Sequence, residues 1–158
     1  MTPELEHLKI LVADDSPDNR YLIVQMLRLA GASVDVAGDG VEAVALARVG
    51  NFDAVLLDIQ MPVMDGYGAL RGLRDMGFNG PILALTAHAF LEERERCLAS
   101  GFDEHIAKPI DRKAMTAMVA RLVRHRADRP WDRGARDANR DHVAEKKAAE
   151  IPEPTSSV

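Results

Sequence analysis

Val55-Leu56-Leu57-Asp58-Ile59-Gln60-Met61-Pro62-Val63-Met64-Asp65-Gly66 is the stretch that decides the fold. A short run of β-favouring apolar residues stops on a carboxylate. A turn punctuated by Pro62 and Gly66 follows, so the stretch reads as buried strand, loop and helix start. Asp58 therefore stands at the carboxyl end of a strand, the place where open α/β sheets bind ligands. Taken alone, such an Asp is more often an ordinary turn residue. Its meaning depends on the rest of the chain.

Upstream, Lys9-Ile10-Leu11-Val12-Ala13 is a second buried-strand run, and it too stops on carboxylates, Asp14 and Asp15. Ser16-Pro17 supplies an N-cap and a first helical residue. Leu22, Ile23, Met26, Leu27 and Ala30 then recur at the helical period up to Gly31. Ser33 to Ala37 reads as strand 2, and Gly38-Asp39-Gly40 turns into a helix over 41–49. Strand 3 covers 53–57 and is followed by a helix over 67–76. That helix carries Gly68 and Gly72, each costing about 1 kcal/mol relative to Ala, and is expected to be the least stable of the helices. Pro81 to Leu85 is strand 4, ending on Thr86 and the small residues around His88. A helix over 90–100 has a charged face in Glu92 to Arg96 and closes at Gly101. Strand 5 covers 103–107 and runs into Lys108-Pro109. Asp111 caps a last helix over 112–124, with Met115, Met118, Val119 and Leu122 facing inward.

Strand and helix thus alternate five times with short connections. The pattern predicts an α/β fold with a doubly wound, five-stranded parallel sheet, flavodoxin-like, in strand order 2-1-3-4-5. Its crevice opens beside strands 1 and 3.

Composition bounds the function. The 158 residues are 47% hydrophobic and 28% charged, which suits a globular domain with a core of normal size. No apolar run approaches the roughly 18 residues that span a bilayer, and Met1 to His7 lacks the pattern of a signal peptide. A cytoplasmic protein is expected, with no membrane partner. The lone Cys97 has no internal disulfide partner and reads as buried filler of a helix rather than a reactive thiol. Residues 1–123 carry a net charge of −6 and residues 124–158 one of +1. An acidic main domain argues against nucleic-acid binding and in favour of a divalent cation. Domain boundaries are drawn at 1–124 for the folded unit and 125–158 for a charged, Pro-containing, mobile tail. Trp131, in that tail, is either a docking aromatic or an uncommitted exposed residue.

In the predicted sheet Asp14 and Asp15 lie beyond strand 1, and Asp58 ends the adjacent strand 3. Two like charges 4 Å apart repel by roughly 4 kcal/mol at an effective dielectric near 20, so three carboxylates invite a hard cation. Mg²⁺ fits, with oxygen ligands and a phosphate completing its shell. Thr86 from strand 4 and Lys108 from strand 5 reach the same edge and complete an anion site suited to a phosphoryl group. Asp58 is then the candidate nucleophile, forming an acyl phosphate. Asp14 and Asp15 hold the metal with Asp58, and the Gln60 carbonyl supplies a further oxygen. Lys108 pairs with phosphoryl oxygens, and Thr86 hydrogen-bonds one of them.

These residues resemble a known family. Asp14-Asp15, the run from Asp58 to Asp65-Gly66, Leu85-Thr86-Ala87 and Lys108-Pro109 look like the receiver domain of two-component response regulators, over about residues 7–124. Asp18-Asn19-Arg20, Gln60-Met61-Pro62, Ala87-His88-Ala89 and Arg94 to Leu98 look most like receivers of hybrid sensor histidine kinases. The resemblance implies that Asp58 accepts phosphate from a phosphohistidine with Mg²⁺ and loses it by hydrolysis, with no other enzymatic activity. It also implies a cis Lys108-Pro109 bond. The implied partners are a sensor histidine kinase or a histidine phosphotransfer protein, and an unknown downstream protein. The chain would be a monomer or a phosphorylation-dependent dimer. The implied output surface is helix 4, strand 5 and helix 5. Ala87, His88 and Gln60 flank the phosphoryl site as modulators of water attack. His105 is a departure: many members carry Tyr or Phe there, swinging inward as the threonine moves, and a histidine puts that aromatic switching in question.

Two other readings stay in view. A small-molecule phosphatase acting through an aspartyl phosphate often has a second Asp two residues after the nucleophile, where this chain has Gln60, and it would need a cap domain. A receiver fragment of a hybrid kinase would carry the same residues as the stand-alone regulator favoured here because Met1 opens just before strand 1.

Overall fold

The computed structural model describes residues 4–127. The expectations for Trp131 and for the tail beyond residue 127 lie outside the described residues. The elements are β1 (Lys9–Ala13), α1 (Pro17–Leu29), β2 (Ser33–Ala37), α2 (Gly40–Val49), β3 (Ala54–Asp58), α3 (Gly66–Asp75), β4 (Ile82–Thr86), α4 (Leu91–Ser100), β5 (Glu104–Ala107) and α5 (Arg112–Ala127). The strands form one parallel sheet in the order β2-β1-β3-β4-β5, as expected for a flavodoxin-like fold.

Local chemistry starts each helix. Ser16 accepts from the Asn19 amide above Pro17, Asp39 from Glu42, Asp65 from Gly68 and Asp111 from Ala114. Helix α4 begins on Phe90 with no side-chain cap. Glu92 and Glu93 in its first turn meet the positive end of the helix dipole instead. Gly101 ends it in the left-handed conformation at φ 116°, which only glycine adopts without strain.

Alternation along the buried strands divides the core into two layers. Ile10, Val12, Leu56, Leu83, Leu85 and Ile106 pack against α1 and α5. Leu11, Ala13, Val55, Leu57, Ile82 and Ala84 face α2, α3 and α4. Right-handed crossovers sort the helices this way, because the chain moves outward from β1 in one direction to β2 and in the other to β3, β4 and β5.

One helix boundary differs from expectation. Helix α5 continues to Ala127, past the limit at Arg124, because the first residue that cannot continue a helix is Pro130. At the other end, packing reaches ahead of residue 7, where the family resemblance starts, and stays within the 1–124 unit. Leu5 is fully buried in the α1/α5 layer, and its amide donates to the Ala30 carbonyl at 2.8 Å. The interior glycines of α3 also have a packing role. A Cβ on Gly72 would sit 3.0 Å from Val44 Cγ2, so the glycine lets α2 approach α3 closely.

Candidate functional site

Register brings the site together. β1 pairs with β3 so that Ala13 lies opposite Leu57, which sets Asp14 and Asp58 side by side at the carboxyl edge. Asp58 is itself the last residue of β3 and pairs with Leu85, and Thr86 pairs with Ala107, the residue before Lys108. The Lys108-Pro109 bond is cis, as the resemblance implied.

Lys108 Nζ donates to Asp14 Oδ2 at 2.9 Å and to Asp58 Oδ2 at 3.1 Å. The remaining oxygens have partners too: Asp14 Oδ1 accepts from the Ser16 amide at 2.9 Å, and Asp58 Oδ1 from the Gln60 amide at 3.1 Å. Asp14 is wholly buried and Asp58 nearly so, whereas Asp15 is exposed at the mouth. Burial raises the Asp58 carboxyl above its ordinary pKa, and the charge of Asp14 adds to this, with Lys108 pulling the other way. Burial also works against the ammonium of Lys108. Its hydrogen bonds to Asp14 and Asp58 outweigh that penalty, and its pKa lies above the ordinary lysine value.

A ligand oxygen from each of Asp14, Asp15 and Asp58 lies within 4.8 Å of the others. Against three carboxylates stands one contacting ammonium, so the fully ionised quartet keeps two uncompensated negative charges. An all-oxygen donor set with that charge fits a hard divalent cation such as Mg²⁺. An open cleft of about 1000 Å³ lies over the cluster, lined by Asp15, Asn19, Asp58, Thr86, His88 and Lys108 among others.

The remaining expected residues are placed less simply. Gln60 is exposed and reaches Asp58 through its amide. Ala87 and His88 are exposed on the rim, where the His88 ring stacks on Phe90 at 5.3 Å between centroids. Thr86 is buried, and its hydroxyl bonds neither carboxylate. It donates to the His88 carbonyl at 2.8 Å and meets His105 Nε2 at 2.6 Å. His105 is buried beside it rather than swung out, because residues 105 and 107 share the sheet face of Thr86.

Sequence reasoning missed Arg20 as a working part. Its guanidinium donates to the Asp14 carbonyl at 2.8 Å and braces the end of β1. The available signal was a cation near a helix N-terminus, where the dipole disfavours it. It read Gly66 only as a turn residue and missed its contact: a Cβ there would fall 2.6 Å from the Asp58 carbonyl oxygen, so the loop closes against the strand only without a side chain. On the expected output face, Glu104 pairs with Arg94 of α4 and Arg121 of α5, each at 3.4 Å.

Comparison with known proteins agrees with this geometry. The sensor histidine kinase RcsC of Escherichia coli K12 is 40% identical over 105 residues, covering 66% of this chain and 11% of RcsC. The chain thus spans about a tenth of the length of the curated sensor kinases it matches. The receiver domain of the Pseudomonas aeruginosa sensor histidine kinase PA1611, solved with magnesium in its active-site cleft, is 38% identical. It aligns with a TM-score of 0.68, covering 73% of this chain and 97% of that one. CheY of Borrelia burgdorferi, solved in a complex with CheX, BeF3 and magnesium, is 28% identical with a TM-score of 0.71. That alignment covers 77% of this chain and 98% of that one. Among the described residues no helix is long and apolar enough to cross a membrane. The family model described as the response regulator receiver domain matches residues 10–120, and the chain belongs to that family, the receiver modules of two-component signal transduction.

Proposed function

We propose that this chain is a Mg²⁺-dependent phosphoacceptor in a phosphorelay, with Asp58 as the phosphorylated residue. The observation that carries the reading is the convergence of Asp14 and Asp58 on Lys108 at 2.9 and 3.1 Å, beneath an open cleft. An Asp58 carboxylate oxygen attacks the phosphorus of a phosphohistidine. The P–N bond breaks, the imidazole leaves, and an acyl phosphate remains. Asp14, Asp15, Asp58 and the Gln60 carbonyl are the groups that would hold Mg²⁺, which when bound neutralises charge on the phosphoryl oxygens. Lys108 exchanges its bond to Asp58 for one to a phosphoryl oxygen, and Thr86 turns its hydroxyl to another. Water then attacks phosphorus, releasing inorganic phosphate and restoring the carboxylate. Gln60, Ala87 and His88 line the path of that water and set its access.

The chain catalyses this reaction on itself alone. Its donor is a sensor histidine kinase or a histidine phosphotransfer protein in the cytoplasm, and its output runs through α4, β5 and α5. The site chemistry is the same in a separate regulator and in one receiver of a longer kinase. The test is labelling by radioactive acetyl phosphate and by a phosphorylated phosphotransfer domain. Label is expected on the wild type in Mg²⁺, with none in chelator and none on Asp58→Asn. Undiminished labelling of Asp58→Asn would refute the proposal.

A further inference from the structure

Thr86 has a single hydroxyl proton and two partners. The His88 oxygen is a carbonyl and only accepts, so at 2.8 Å the hydroxyl proton goes there. The contact of 2.6 Å with His105 Nε2 therefore requires the ring nitrogen to carry a proton and donate it to Thr86 Oγ1. Both partners lie outside the carboxylate cluster. We infer that His105 is a positioning residue that holds the Thr86 hydroxyl away from the phosphoryl site, through a donated Nε2–H bond that must be broken or carried along when Thr86 engages the phosphoryl group.

The inference rests on the phosphoacceptor reading above and adds a regulator to it. A phosphoryl oxygen needs the proton that Thr86 now gives to the His88 carbonyl, so engagement starts by breaking that bond. His105 adds a second restraint on the same oxygen. The ring is buried, and its strand is tied to β4 on either side of the contact, by Ala84 opposite His105 and Thr86 opposite Ala107. A donor on such a rigid support does not follow a moving hydroxyl freely. When the hydroxyl leaves, the buried Nε2–H is left without its acceptor, a cost that falls on the engaged state and that a ring without a donor does not carry. Removing the donor therefore weakens the held state more than the engaged one. An apolar ring cannot restrain the hydroxyl in this way. His105 thus makes the resting state depend on a hydrogen bond rather than on ring shape alone.

Two measurements test this. In protein with Mg²⁺, nitrogen NMR of the histidine rings reports which ring nitrogen of His105 is protonated. Protonated Nε2 is expected, and an unprotonated Nε2 overturns the inference. The second is titration with beryllofluoride in Mg²⁺ on the full chain as wild type, His105→Phe and His105→Gln. Phe keeps a ring without a donor, and Gln keeps an N–H donor. His105→Phe is expected to bind beryllofluoride roughly two- to tenfold more tightly, the worth of one net hydrogen bond, with His105→Gln close to wild type. Mg²⁺ affinity without beryllofluoride should be the same in all three, which separates positioning from damage to the site. Equal or weaker binding by His105→Phe overturns the inference. If the wild type takes up no beryllofluoride in Mg²⁺, the phosphoacceptor reading itself falls and this inference with it.

Discussion

Replacing Asp58 by Asn should stabilise the metal-free fold. The charged pairs at Asp58 come close to cancelling. Attraction to Lys108 at 3.1 Å is about 5 kcal/mol at an effective dielectric of 20, and repulsion from Asp14, at no more than 4.8 Å, is at least about 3.5 kcal/mol. Asp15 adds a smaller, solvent-screened repulsion because it is exposed. With the pairs nearly balanced, burial of the carboxylate decides the sign, and burial is the largest cause of its raised pKa. A native pKa above the unfolded one means that the native state binds more protons. Stability therefore falls as pH rises from the ordinary value of 3.8 through the raised native value, and the loss persists at neutral pH. Asn keeps an acceptor for the Gln60 amide without the charge, and Lys108 keeps Asp14. Urea denaturation at neutral pH in chelator should show Asp58→Asn more stable by about 1–2 kcal/mol, with the difference shrinking as pH is lowered through that window. Mg²⁺ should reverse the order, since ligand at a hundredfold excess over its Kd adds about 2.7 kcal/mol to the protein that binds it. An Asp58→Asn protein that is less stable than wild type in chelator would refute the reasoning. It would mean that the Lys108 pair, not burial, governs this carboxylate.

Lys108→Met leaves Asp14 and Asp58 without their shared cation. It should destabilise the metal-free protein by about 2–4 kcal/mol in urea while binding Mg²⁺ more tightly by calorimetry, because the ammonium no longer competes for the same oxygens. Gly66→Ala drives a methyl to 2.6 Å from the Asp58 carbonyl oxygen and 2.8 Å from Ile59 Cα. The backbone must move, so a loss of about 1–3 kcal/mol is expected together with weaker Mg²⁺ binding, both read by denaturation with and without the metal. Leu5→Ala empties a fully buried site beneath α1 and should cost about 2–4 kcal/mol in urea while leaving Mg²⁺ affinity unchanged.

What was legible in the chain by itself was whatever depends on near neighbours. Apolar runs ending on Asp14, Asp58 and Thr86 marked strand ends. Ser16-Pro17, Asp65 and Asp111 marked helix starts, and alternation of the two implied a parallel sheet of known handedness. Because parallel strands share one carboxyl edge, the chemistry of that edge could be read before any contact was seen. Leu5 was illegible because one leucine in an acidic, non-periodic leader carries no pattern, and its burial needs Ala30 brought back beneath it. Gly66 was visible as a turn residue, but its closeness to the Asp58 carbonyl appears only when the loop folds back on the strand. Lys108 was assigned to a phosphoryl group, and the fold shows that its ammonium is shared between Asp14 and Asp58. The tertiary structure alone decided that His105 is the second partner of Thr86, beside the local His88 carbonyl. A hydroxyl bonds the best donor or acceptor within about 3 Å, and which group stands there depends on the register of β4 against β5, a relation between segments 19 residues apart that no local pattern encodes.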